Sequence, residues 1–154
     1  MSHTQERLTE LGIALPAPTT AMGNYIPSLR IGDLVYLSGV VARDARGDLM
    51  VGKLGDDCAV EQGYAAARSC GLQILANVER EVGDLDRIVR VVKLTGMVNA
   101  TPDFTEPPAV VNGCSDVLVE VLGERGRHTR SAFGVATLPG GVAVEVEAVV
   151  EIRA

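Results

Sequence analysis

The sequence is poor in aromatic, histidine and cysteine residues. Its 154 residues include no Trp, two Phe, three Tyr, two His and three Cys. So few aromatic side chains leave little surface on which nucleic-acid bases could stack. Cys58, Cys70 and Cys114 are odd in number and form no CxxC pair, which indicates free thiols and neither a zinc ribbon nor a thioredoxin-like centre. With His3 and His128 as the only histidines, we expect no metal site.

Basic residues are outnumbered by acidic ones, and long apolar runs are missing. Fourteen Lys and Arg against 20 Asp and Glu give a net charge of −6 at pH 7. Because phosphate contacts need clustered Lys and Arg, we expect no nucleic-acid partner. No stretch of about 18 apolar residues is present, and the charged N-terminus lacks the apolar run of a signal peptide. We therefore expect a cytoplasmic protein without a membrane partner.

Small aliphatic residues are abundant instead. Hydrophobic residues make up 47% of the chain, and the 17 Gly lift apolar residues plus glycine above the usual range of about 45–50%. A chain of this length usually makes one domain, so the surplus hints at an oligomer that hides a second surface. We expect a single domain over residues 1–154, in which residues 1–19 form an N-terminal extension with a short helix.

Apolar periodicity predicts the order ββαβαββ behind the N-terminal helix, which Thr4 is predicted to cap. The two main helices are predicted at 56–82 and 107–122. Strands interspersed with helices favour an α+β mixed sheet with both helices on one face. The last two strands are expected to form a hairpin around the Pro139-Gly140-Gly141 turn. The strands are predicted at 25–30, 34–41, 87–98, 130–138 and 142–153.

The last predicted strand alternates strictly between two kinds of residue. Its even-numbered positions from 142 to 152 are all Val, Ala or Ile, which suits burial under the helices. Its other face carries Glu145, Glu147 and Glu151 among apolar neighbours. From the pattern alone, that face is either solvated or holds a carboxylate in a pocket or interface, where burial would tune it for acid–base chemistry.

The C-terminal third contains the most specific signal. Arg127 to Pro139 has an Arg that starts a strand and a Leu-Pro turn, and Val144 to Ala148 has an acidic residue between aliphatic ones. These segments resemble the C-terminal signature of the YjgF/YER057c/UK114 family, also called the Rid (reactive intermediate deaminase) family. Further matches, which extend the resemblance over residues 20–153, are Gly23-Asn24-Tyr25, Leu37-Ser38-Gly39 and Asn112.

The longer N-terminus and two other strings resemble the larger, divergent branch of this family, labelled endoribonuclease L-PSP-like. Those strings are Asn112 to Asp116 and Gly126 to His128. The resemblance implies a chorismate-mutase-like α+β fold and a homotrimer, in which three sheets form a central barrel and clefts lie between adjacent subunits. It also implies hydrolysis of reactive 2-imino or 2-enamino acids to 2-keto acids and ammonia, without a cofactor.

The resemblance assigns two catalytic residues. Arg130 matches the Arg that binds the substrate carboxylate, for which the planar guanidinium fork is well suited. Glu145 matches the carboxylate that positions the attacking water and assists proton transfer. The other residues that the resemblance places around the substrate are Tyr25, Ser38, Gly39, Asn112, His128 and the backbone of Ala132.

Several positions depart from the family pattern and leave the substrate open. His128 stands where the main branch has Pro or Ala, and Ala132 stands where many members carry Cys. Since the Arg/Glu pair is retained, we expect an imine deaminase that acts on a small carboxylate. The alternative is a trimer without catalytic activity that binds small carboxylates or acts like a chaperone. The net charge of −6 and the lack of a catalytic His pair disfavour a ribonuclease.

Overall fold

Three α-helices and five β-strands follow one another in the order α1, β1, β2, α2, β3, α3, β4 and β5. The computed structural model describes residues 1–154. The predicted order, ββαβαββ behind an N-terminal helix, is confirmed. The helices are α1 (His3–Glu10), α2 (Val60–Val82) and α3 (Pro107–Leu122), and the strands are β1 (Ser28–Ile31), β2 (Leu34–Val41), β3 (Ile88–Asn99), β4 (Thr129–Val135) and β5 (Val144–Ile152).

The strands form one mixed sheet in the order β1-β2-β5-β3-β4. β1 and β2 form the predicted hairpin, with Gly32 at φ +60 in its turn, but β1 begins at Ser28 instead of residue 25. β5 lies between β2 and β3 and is antiparallel to both, whereas β4 is parallel to β3 at the sheet edge. The hairpin predicted between β4 and β5 is therefore wrong, because the Pro139–Gly141 turn carries the chain across β3.

Both long helices cover one face of the sheet, as predicted. The even-numbered residues of β5, from Val144 to Ile152, face them and are each at most 4% exposed. α2 and α3 approach closely where Gly113 faces the carbonyl oxygen of Tyr64 and Gly71 faces Val117. No helix in the structure has both the length and the apolar character needed to cross a membrane.

Two helix starts differ from the prediction. Ser2, and not Thr4, caps α1, because the Ser2 side chain accepts a hydrogen bond from the first turn while Thr4 is buried. α2 begins at Val60 instead of residue 56. The reason is that Asp57 accepts a hydrogen bond from the Lys53 N–H, which folds the preceding residues into a turn.

Candidate functional site

Arg130 lies on the edge strand β4, and its side chain projects from the helix-covered face of the sheet. It is paired in register with Leu94, which is fully buried beneath the helices. Its Nη1 donates to Asn112 Oδ1 at 2.8 Å and to Ser115 Oγ at 3.1 Å, one turn apart on α3. Its Nε and Nη2 donate to nothing in the chain, so one side of the guanidinium fork is free to bind a carboxylate.

His128 and Ser115 form a hydrogen-bonded pair beside this arginine. Nδ1 of His128 lies 2.6 Å from the Gly126 carbonyl oxygen, and Nε2 lies 2.9 Å from Ser115 Oγ. Because a carbonyl oxygen can only accept, Nδ1 carries the proton and Nε2 accepts from the Ser115 hydroxyl. Burial lowers the pKa of His128, the Arg130 charge lowers it further, and the hydrogen bond to Gly126 opposes both.

Ser115 was not among the residues predicted for the site. It contacts both Arg130 and His128, so it links them into one network. Its spacing from Asn112 could have identified it in the sequence. The two residues are three apart on a predicted helix, so they share one face of that helix.

The main chain of β4 adds polar groups at the same place. Val135 O accepts from Ala100 N across the β3–β4 pair. In a parallel strand the main-chain groups alternate in direction, so those of Arg130 and Ala132 point to the open edge of the sheet. We call this set the arginine half-site. It comprises Asn112, Ser115, His128, Arg130 and Ala132.

Glu145 projects from the opposite face of the sheet. Its Oε1 lies 2.5 Å from the point that a Cβ atom at Gly39 would occupy, so the carboxylate rests directly over that glycine. Burial raises the pKa of Glu145, and the neighbouring Glu147 raises it further. No group of the chain donates a hydrogen bond to this carboxylate, which leaves both oxygens free to orient a water molecule.

A β-bulge shapes the surroundings of Glu145. The register shifts between Leu37 and Val40, so that two residues of β2 oppose one residue of β5. Ser38 Oγ donates to Ile26 O at 2.7 Å, which holds the segment that carries the exposed Tyr25 beside the bulge. We call this set the glutamate half-site. It comprises Tyr25, Ser38, Gly39 and Glu145.

The two half-sites do not meet within one chain. Glu145 is in register with Met97 and hence with Phe133, three residues beyond Arg130 on β4. Because side chains alternate between the two faces along a strand, an odd offset of three residues places Glu145 on the sheet face opposite to Arg130. β3 separates the two strands, so roughly 10 Å lies between their backbones. One copy of the chain thus presents an arginine with Nε and Nη2 unoccupied and a separate carboxylate that accepts no hydrogen bond from the chain.

The cysteines do not belong to either half-site. All three are buried free thiols. Burial raises the pKa of Cys114 to about 12, which keeps the thiol protonated and a poor nucleophile. No group of three or more His, Cys, Asp or Glu side chains is arranged to hold a metal ion.

Comparison with known proteins identifies the family. The model of the YjgF/chorismate-mutase-like endoribonuclease family matches residues 5–151. The chain belongs to this family. The YjgF family and the chorismate-mutase-like fold expected from the C-terminal signature are therefore confirmed.

Relatives of this YjgF-family chain match more than nine-tenths of its length. It is 47% identical over 147 residues to Protein TCP17 of Trypanosoma cruzi, covering 95% of this chain and 92% of that protein. It is 28% identical over 142 residues to a 2-iminobutanoate/2-iminopropanoate deaminase of Dermatophagoides farinae, covering 92% and 95%. A solved Shewanella oneidensis structure, described as an endoribonuclease, matches with a TM-score of 0.92 and 33% identity, covering 98% and 100%.

Proposed function

We propose that this protein hydrolyses reactive 2-imino or 2-enamino acids to 2-keto acids and ammonia. The observation that carries the proposal is the guanidinium of Arg130, which is tethered through Nη1 alone and keeps Nε and Nη2 free at the open edge of β4. This fork fits the carboxylate that every such substrate carries. The relative from Dermatophagoides farinae, which is described as a deaminase for substrates of this class, supports the same reaction.

We further propose that the site is completed between the subunits of a homotrimer. The half-sites lie on opposite faces of the sheet, so a neighbouring copy is needed to bring a Glu145 towards an Arg130. The sheet face away from the helices also exposes apolar side chains, and covering them stabilises an assembly by about 25 cal/mol per Å². These exposed residues are Leu29, Ile31, Tyr36 and Phe133.

In the proposed reaction, the substrate carboxylate binds to Nε and Nη2 of Arg130 and to the main-chain N–H of Ala132. The Glu145 carboxylate of the adjacent subunit orients a water molecule and takes a proton from it as the oxygen bonds to the imine carbon. The imine π electrons move to nitrogen, which takes up a proton. The resulting carbinolamine then gives up its hydroxyl proton while its amine takes up a proton, so that the O–H electrons form the carbonyl of the keto acid as the C–N bond breaks and ammonia leaves.

A binding protein without catalytic activity is the second candidate. The observation in its favour is that the arginine half-site is complete within one chain, whereas Glu145 is distant from it. A ribonuclease is disfavoured, because a net charge of −6 repels phosphates and the arginine half-site contains one histidine.

The test couples the protein to a threonine dehydratase, which produces 2-iminobutanoate, and measures release of 2-oxobutanoate above the spontaneous rate. We expect acceleration by the wild type and a loss of about a hundredfold or more in Arg130→Gln and Glu145→Gln. No acceleration by the wild type, or full activity in Arg130→Gln, would overturn the proposal. Calorimetric binding of 2-oxobutanoate without turnover would favour the binding protein.

A further inference from the structure

A groove with a volume of about 940 Å³ lies on the helix layer, and it borders the glutamate half-site where the N–H of its lining residue Met22 donates to Tyr25 Oη at 3.3 Å. Its floor is one face of α2, and its walls are the N-terminal segment 14–22 and the loop 43–50. None of its lining residues belongs to either half-site. The volume lies within the range of about 300–1,000 Å³ typical of small-molecule sites. We call it the N-terminal groove.

The wall formed by the N-terminal segment is held in place before any ligand binds. Thr19 N donates to Asn77 Oδ1 at 2.8 Å, and Asn77 Nδ2 donates to Thr19 Oγ1 at 2.8 Å. Arg80 Nη1 donates to Thr19 O at 2.6 Å. Pro16 and Pro18 restrict the backbone on the N-terminal side of these hydrogen bonds. Because the wall is already ordered, little conformational entropy remains to be lost on binding.

One side-chain oxygen at the floor of the groove, Oε1 of Gln73, accepts no hydrogen bond from the chain. Gln73 is only 4% exposed, and its Nε2 donates to Val41 O at 3.0 Å and to Ser69 O at 3.4 Å. These two carbonyls orient the amide so that Oε1 is left without a donor, and Gln73 lines the groove. Oε1 is not fully buried, so a ligand in the groove can reach it, and it can accept a hydrogen bond from an N–H or O–H group.

Arg43 provides a cation without a carboxylate partner in the same groove. Its N–H donates to Ser69 Oγ at 3.2 Å, and its Nη1 donates to Gly47 O at 2.7 Å. The other arginines of the groove, Arg46 and Arg68, each pair with a carboxylate. Arg43 has no such partner, so its Nε and Nη2 are free to bind an anion.

We propose that the N-terminal groove binds a small amphipathic carboxylic acid with a hydrogen-bond donor near its head group, such as an N-acyl amino acid. The carboxylate binds to Arg43, and the amide N–H donates to Gln73 Oε1. The acyl chain packs against the apolar side chains of Leu15, Met50 and Leu72. This site is independent of the deaminase proposed above.

The test is calorimetric titration of the full chain with N-octanoylglycine. We expect saturable binding of one ligand per chain and a loss of about tenfold or more in Arg43→Gln, as for a lost charge-assisted hydrogen bond. Arg46→Gln is the matched control, because it removes the same charge from the same loop at an ion-paired position, and it should bind like the wild type. Ala65→Met should also weaken binding, since it keeps a helix-forming residue but narrows the groove.

Two further measurements identify the groups that recognise the ligand. The methyl ester of N-octanoylglycine should bind the wild type at least about tenfold more weakly than the acid, because it lacks the carboxylate. The side-chain amide of Gln73 should shift in an NMR titration with the acid. Arg130→Gln should bind like the wild type, which separates this site from the arginine half-site.

The proposal is overturned if the wild type shows no saturable binding or if Arg43→Gln binds unchanged. Equal losses in Arg43→Gln and Arg46→Gln would mean general charge attraction and would also overturn it. Loss of binding in Arg130→Gln would place the ligand in the arginine half-site instead.

Discussion

Gly39 and Glu145 form a pair in which the missing side chain of one residue makes room for the carboxylate of the other. The Glu145 oxygen lies 2.5 Å from the position of a Cβ atom at Gly39, closer than real contacts allow. The glycine is needed for this space and not for its backbone, because its φ is not positive. At the residue scale, the placement of the proposed base therefore depends on the bulge that carries Gly39.

Gly39→Ala should lower the deaminase rate by about tenfold or more, because the new methyl group displaces the Glu145 carboxylate. Measurements of kcat and of the Kd for 2-oxobutanoate check this, since binding to Arg130 should be unchanged. In a Glu145→Gln background the same substitution should have little further effect. Additive losses in that double-mutant cycle would contradict the argument.

As long as no cation of an adjacent subunit pairs with it, Glu145→Gln should stabilise the fold near neutral pH, and it should remove activity. Burial raises the pKa of Glu145 in the folded protein, which therefore binds the proton more tightly than the unfolded chain. This contribution to stability is fully present below the pKa of Glu145 in the unfolded chain. It is lost as the pH rises from that value through the higher pKa of the folded protein. The thermal midpoint of Glu145→Gln should exceed that of the wild type at pH 7, and the difference should vanish in acid.

The matched control is Glu151→Gln, the same change on the same strand, which should leave the deaminase rate unaltered. A Glu145→Gln variant that is less stable than the wild type at pH 7 would show that the carboxylate has a stabilising partner.

At the scale of elements, two glycines set the distance between α2 and α3. A Cβ atom at Gly113 would overlap the carbonyl oxygen of Tyr64 in the facing helix. A Cβ atom at Gly71 would instead meet Cγ1 of Val117, which is a side-chain atom and can move. The close contact of the helices thus depends more on Gly113, and α3 in turn holds the side chains that tether Arg130.

Gly113→Ala should destabilise the fold by about 2 kcal/mol or more, because overlap with backbone is relieved only by moving a helix. Gly71→Ala should cost less, since Val117 can adjust and alanine favours the helix by about 1 kcal/mol over glycine. Chemical denaturation of both variants checks this order. Equal stability of the two variants would contradict it.

At the scale of the whole molecule, the sheet has two different surfaces. One face is covered by α2 and α3, and the other exposes Tyr36 and Phe133 beside the half-buried Glu145. The surplus of small aliphatic residues in the sequence fits burial of that second face in an assembly. The edge strand β4 also leaves main-chain groups unpaired, so the proposed cleft would lie where an exposed edge meets an exposed face.

Mixing Arg130→Gln with Glu145→Gln should restore activity if each cleft takes one half-site from each of two subunits. After the subunits of an equal mixture are exchanged, about a quarter of the clefts should contain both wild-type residues, so about a quarter of the activity should return. Analytical ultracentrifugation verifies that trimers have re-formed. An inactive mixture of re-formed trimers would place both residues of each site in one subunit.

Local pattern in the sequence was sufficient to predict the kinds of element, their order and the buried face of β5. This is because the periods of helices and strands are properties of neighbouring residues. The C-terminal signature was sufficient for the family. The tertiary structure decided that β4 pairs with β3 instead of β5, that Arg130 and Glu145 face opposite ways, and that Ser115 and Gln73 meet their partners. Those relations depend on register and packing between distant segments, and main-chain hydrogen-bonding groups are the same in every strand, so local sequence does not encode them.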